Sequence, residues 1–170
     1  LRVVLDTGAT MNVVASAAVQ RLDLQAVGEI QVSSPGGEPF ATPEVTLPDM
    51  SVGSAKVEGL TAAHLSNGPV SMVSRDGVIG PVAFSKFGRV ALNFIDYTVE
   101  IGGEFDLPPD VAWIPFGEDR PLLDARLEIG GMYVPAHIDT GSPGIVKAPI
   151  GYSRAFDLED TTTVIGRARL

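Results

Sequence analysis

The chain has no cysteine, which excludes disulfides, thiol catalysis and cysteine-ligated metal sites. Basic residues are scarce. Twelve Lys and Arg stand against 21 Asp and Glu, for a net charge of −9, an unfavourable balance for binding nucleic acid or an anionic membrane surface. No apolar run reaches the length of a membrane span. There is no Asn-x-Ser/Thr sequon, no HExxH, no Ser/His/Asp ordering and no phosphate-binding glycine motif. The two histidines, His64 and His137, do not sit at metal-ligand spacing and read as structural or surface residues. No metal and no cofactor is expected.

What is present is a 170-residue chain, 45% hydrophobic, punctuated by 19 Gly and 13 Pro. That length suits one domain or two small lobes, and short apolar segments between Gly and Pro predict an all-β chain. Strands are expected at Leu1 to Leu5, Asn12 to Ala15, Glu29 to Ser33, Phe40 to Leu47, Lys56 to Leu65, Val90 to Phe94 and Thr98 to Ile101. Ser16 is placed to cap a short helix over Ala17 to Leu22, and Val82 to Phe87 fits a second. Ser34-Pro35-Gly36-Gly37 fits a hairpin tip. Residues 103–120, with three prolines, read as a connection onto whose neighbouring core Trp113 would pin. Leu122 to Ile129, the Gly130-Gly131 turn and Met132 to Ile138 form a hairpin.

Two tripeptides stand out: Asp6-Thr7-Gly8 and Asp139-Thr140-Gly141. Each places a carboxylate in a Gly turn at the end of an apolar strand. Burial of such a charge calls for hydrogen bonds, an ionisable neighbour or chemistry. The two aspartates are offset by 133 residues (139 − 6), and Arg21-Leu22-Asp23-Leu24 resembles Ala155-Phe156-Asp157-Leu158 at 134 (157 − 23). One inserted residue reconciles them, so a duplicated lobe is inferred. By that logic the first copy lacks a leading strand and the second lacks its later part; a fragment of a longer protein is expected.

Two carboxylates held about 3 Å apart cannot both ionise easily, so one keeps a proton. The charged partner can then take a proton from water while the protonated one donates to a substrate carbonyl. The protons titrate as a pair, so the sequence leaves acid and base unassigned. Gly8 and Gly141 would permit close approach of the turns, and the Thr7 and Thr140 hydroxyls could bond across it. Ala9 follows the first triplet and Ser142 the second. A hydroxyl at Ser142 can stabilise a charged carboxylate, so Asp139 is expected to ionise more readily.

These turns resemble those of the aspartic proteases, the pepsin and retropepsin superfamily. Asp76-Gly77-Val78-Ile79-Gly80 resembles that family's hydrophobic pair and glycine, which pack behind the catalytic loop. The next stretch, Phe84 to Ile101 with Asn93-Phe94-Ile95-Asp96-Tyr97, is similar to the closing strands of bacterial retropepsin-like lobes. The resemblance implies a pepsin- or retropepsin-like acid-protease fold, with a first lobe over 1–103, a linker over 104–120 and a partial second lobe over 121–170. It implies an endopeptidase acting on polypeptides. Asp6 and Asp139 would be catalytic, supported by Thr7, Gly8, Ala9, Thr140, Gly141, Ser142, Val78, Ile79 and Gly80. Gly36 and Gly37 would tip a flap.

Pairing of the two lobes within one chain is preferred to a homodimer joining Asp6 to Asp6. A non-catalytic pepsin-like binding module is the alternative reading. Val164-Ile165-Gly166 has the letters of a second backing motif, but Ile165 lies 26 residues beyond Asp139 (165 − 139), whereas Ile79 lies 73 beyond Asp6 (79 − 6). It is therefore read as a strand before a flap, leaving the second loop without its backing.

Overall fold

The structure is a computed structural model that describes residues 1–33, 38–66, 76–102 and 122–142, together with Tyr152 and Ala155. The expected flap tip Gly36-Gly37, the connection over 104–120 with Trp113, and Val164-Ile165-Gly166 lie outside the described residues.

The architecture is all-β in class. In chain order the described elements are β1 (Val3–Leu5), β2 (Val13–Ala15), α1 (Ser16–Arg21), β3 (Ala26–Val32), β4 (Phe40–Thr46), β5 (Met50–Val52), β6 (Ala55–Val57) and β7 (Thr61–Leu65). They continue with β8 (Gly77–Ile79), α2 (Pro81–Phe87), β9 (Val90–Asn93), β10 (Thr98–Ile101), β11 (Asp124–Ile129) and β12 (Met132–His137).

Six strands form the main sheet in the order β1-β8-β2-β7-β4-β3. Its middle mixes directions: β1 and β8 are parallel, as are β2 and β7, while β2 and β8 run antiparallel. Non-local pairing of this kind fixes the fold through buried faces rather than through turns. Val14, Val45, Leu47, Val57, Leu60, Ala62, Ile79 and Phe84 supply the core, with Ala18 of α1 and Ala83 of α2 packed into it. Each large apolar side chain so buried contributes roughly 1.5–3 kcal/mol. The remaining strands pair as hairpins: β5 with β6, β9 with β10, and β11 with β12.

Two expectations change on contact with the structure. The strand expected over Lys56 to Leu65 is two, β6 and β7, because Gly59 takes a left-handed φ of +65° and breaks the run. Ser16 does not cap α1. Ala15 is the capping residue, and the Ser16 hydroxyl instead meets His64 Nε2 at 2.9 Å. Residues 77–79 form a strand in their own right, too short to show a period in sequence. The second helix fits its residues well. Gly80 precedes it, Pro81 occupies its first turn, and Gly88 ends it at a φ of +82°.

Candidate active site

The two Asp-Thr-Gly turns meet. β1 delivers Asp6 and β12 delivers Asp139, and the turns are joined by a reciprocal set of hydrogen bonds. The Thr7 N–H donates to Thr140 Oγ1 (3.1 Å), and the Thr140 N–H donates to Thr7 Oγ1 (3.0 Å). Each hydroxyl in turn donates to the strand behind the opposite aspartate. Thr7 reaches the Ile138 carbonyl (2.5 Å) and Thr140 the Leu5 carbonyl (2.6 Å). Thr7 is 2% exposed, so these bonds are sheltered from water. At about 1 kcal/mol net each, four of them can hold two loops in register.

The glycines explain how close the approach is. A Cβ at Gly8 would lie 2.5 Å from Asp139 Cγ, and one at Gly141 would collide with the Asp6 carboxyl. Each turn therefore makes room for the other's carboxylate, and any side chain there would displace that carboxylate. Within its own turn each aspartate is anchored alike. Gly8 N–H donates to Asp6 Oδ1 and Gly141 N–H to Asp139 Oδ1, both at 2.9 Å. Ala9 N–H donates to the Asp6 carbonyl (3.3 Å), and Ser142 N–H to the Asp139 carbonyl (3.4 Å).

The surroundings of the two carboxylates differ. Asp6 is half-buried and Asp139 exposed. Burial lifts the Asp6 carboxyl above its ordinary value of 3.8, against the opposing pull of the Gly8 amide. The charge of Asp139 and a hydrogen bond to it push Asp6 up further, while the Ala9 amide acts downward. A raised acid beside a second carboxylate is the arrangement that retains one shared proton.

Behind Asp6 lies the Val78-Ile79-Gly80 segment. β8 runs parallel to β1 with Leu5 opposite Ile79, and the Asp6 N–H donates to the Ile79 carbonyl at 3.0 Å. Gly80 sits so close that a Cβ would fall 2.7 Å from the Ala9 carbonyl oxygen. The strand is itself anchored at its start by buried Asp76, which bonds the Arg2 amide and pairs with Arg21 at 2.7 Å. Those partners, the Arg2 amide first, hold the Asp76 carboxyl below the ordinary 3.8.

Asp6, Thr7, Gly8, Ala9, Asp139, Thr140, Gly141 and Ser142 thus gather at one place, with Val78, Ile79 and Gly80 behind the first turn. Asn12 joins them without having been anticipated. It is 3% exposed and bonds both Gly80 and Thr61. Its one sequence signal is an amide in the otherwise apolar Met11-Asn12-Val13-Val14-Ala15 run. The histidines stay apart from the site chemistry. His64 meets Ser16, and exposed His137 contacts Asp124. Among the described residues no three His, Asp or Glu side chains gather as a metal site. None of the described helices is long and apolar enough to cross a membrane.

Residues 1–81 match the family model described as aspartyl protease. The match takes in the Asp6 turn and its Val78-Ile79-Gly80 backing, and it stops short of Asp139. No curated protein and no solved structure matches the chain.

Proposed function

From a chain that belongs to the aspartyl protease superfamily through residues 1–81, we propose an endopeptidase in which Asp6 and Asp139 form one intramolecular dyad. The family supports proteolysis in general terms. The finer reading rests chiefly on the crossed Thr7–Thr140 bonds, which bring a second Asp-Thr-Gly turn, outside the matched residues, against the first. In this reading residues 1–103 form a first lobe and 121–170 part of a second, retropepsin- or pepsin-like in kind.

Asp6, the half-buried acid, starts protonated and Asp139 charged. Asp139 accepts a proton from a water held between the two carboxyls, and that water's oxygen bonds to the scissile carbonyl carbon. The Asp6 proton passes to the carbonyl oxygen, giving a neutral gem-diol. Collapse re-forms the carbonyl, breaks the C–N bond and delivers the proton held by Asp139 to the leaving nitrogen. One of the diol's two hydroxyl protons returns to Asp6, and the other stays on the product carboxyl. No covalent enzyme intermediate forms, and acid favours the singly protonated dyad.

The test is hydrolysis of an unfolded protein between pH 3 and 7, with and without pepstatin, by the wild-type chain and Asp6→Asn. Acid-favoured cleavage that pepstatin blocks and Asp6→Asn lacks supports the reading. A folded wild-type chain that binds the peptide without cutting it would instead identify a binding module.

A further inference from the structure

The Asp6 turn is closed onto β8 at two points. One is the backbone bond from Asp6 N–H to the Ile79 carbonyl, already described. The other is made by a side chain six residues further along. Asn12 Oδ1 accepts from the Gly80 N–H at 3.1 Å, and Asn12 Nδ2 donates to the Thr61 carbonyl at 2.9 Å. The Asn12 carbonyl also accepts from the Ala63 N–H at 2.9 Å. One residue therefore ties the end of the Asp6 loop to both β7 and the glycine behind it.

We propose that Asn12 is a positioning residue for the dyad, its side-chain amide clamping the loop between Asp6 and Asn12 against Gly80 and so fixing where the Asp6 carboxyl stands relative to Asp139. The inference rests on reading Asp6 as half of a dyad. Hydrophobic packing of Val78 and Ile79 would hold the strand but would not set the loop's depth. Gly80 does so, because a Cβ there would fall 2.7 Å from the Ala9 carbonyl oxygen and 3.2 Å from that of Met11, so only glycine lets the loop come this close. Close approach alone leaves the buried Gly80 N–H in need of an acceptor. Asn12 supplies the acceptor, and its donor satisfies a β7 carbonyl in the same gesture. An amide fits both needs at once from two separate atoms, Oδ1 toward Gly80 and Nδ2 toward Thr61, whereas a serine hydroxyl offers a single oxygen.

The experiment follows the Asp6 side-chain carboxyl by NMR across a pH titration, in the whole chain, for wild type, Asn12→Ala and Asn12→Ser. The groups acting on that carboxyl are Asp139 and the Gly8 and Ala9 amides. The amides belong to the turn itself and stay with it. Loosening the clamp rehydrates Asp6 and draws it from Asp139, so its midpoint should fall toward the ordinary aspartate value. In parallel, kcat on a peptide substrate should fall about tenfold with KM unchanged. An Asp6 midpoint unmoved in either folded variant would overturn the proposal and leave Asn12 as a core amide. Absence of cleavage by wild type would count against the protease reading alone, because the titration is read without turnover.

Discussion

Replacing Gly8 by Ala should separate stability from activity. The added Cβ would lie 2.5 Å from Asp139 Cγ and 2.7 and 2.9 Å from its carboxylate oxygens. Relief to an ordinary contact near 3.4 Å requires a displacement of about 0.9 Å, and the group in the way is the end of an exposed side chain rather than backbone. Asp139 yields, therefore, and the fold does not. Gly8 has no left-handed backbone to lose, and an Ala there restricts the unfolded chain, worth up to about 1 kcal/mol in favour of folding. Catalysis by two carboxyls sharing a water has no such tolerance. A misplacement of about 1 Å costs on the order of 100-fold. The assay is kcat on a peptide substrate near pH 4 alongside a thermal unfolding midpoint. The expected result is a loss of about 100-fold in kcat with the midpoint within a few degrees of wild type. Undiminished kcat in the folded variant would refute the claim that the two turns make room for each other's carboxylate. The reciprocal substitution Gly141→Ala, whose Cβ would lie 2.4 Å from the Cγ of half-buried Asp6, should cost kcat likewise.

Thr7→Ala removes a hydroxyl that both donates to Ile138 and accepts from Thr140, so it should cost about 1–3 kcal/mol in urea unfolding. Thr7→Ser, which keeps the hydroxyl, should recover most of that. Asp76→Asn weakens the tie from α1 to β8 and should destabilise the chain by about 1–2 kcal/mol at neutral pH. Because the folded carboxyl of Asp76 is held below 3.8, its contribution is complete above that value and fades as pH falls through the lower folded one. The deficit of Asp76→Asn measured by unfolding should accordingly shrink in strong acid. Asp6 has the opposite sign: its raised folded value favours the native state in acid, an advantage lost as pH rises through that value. Asp6→Asn should therefore raise the neutral-pH melting temperature while abolishing hydrolysis, and the gain should vanish below pH 3.8.

Much of this site could be read in the sequence because its chemistry is local. An Asp-Thr-Gly after an apolar strand carries its own turn, and the offset of 133 residues between copies gave a reason for two turns to meet. The hairpin of β11 and β12 was legible for the same reason, its glycine pair at 130 and 131 sitting between alternating segments. What escaped depends on residues far apart in the chain. β8 is three residues long and exists because β1 and β2 flank it, and no periodicity can show in so short a run. Asn12 earns its place from Gly80 and Thr61, 68 and 49 residues away. Ser16 misled because a hydroxyl before an apolar helix looks like a cap, yet here it turns to His64 across the sheet. Local hydrogen-bonding preference gave way to a tertiary partner.

The central claim is that one chain supplies both aspartates of one site. It is tested most directly by the rate at which Asp139→Asn cleaves an unfolded protein in acid, measured over a range of enzyme concentrations. Loss of about 10²–10⁴-fold at every concentration is the predicted result, since removing one member leaves no acid–base pair. Cleavage at the wild-type rate, rising with the square of enzyme concentration, would contradict it and point instead to Asp6 turns meeting between two copies.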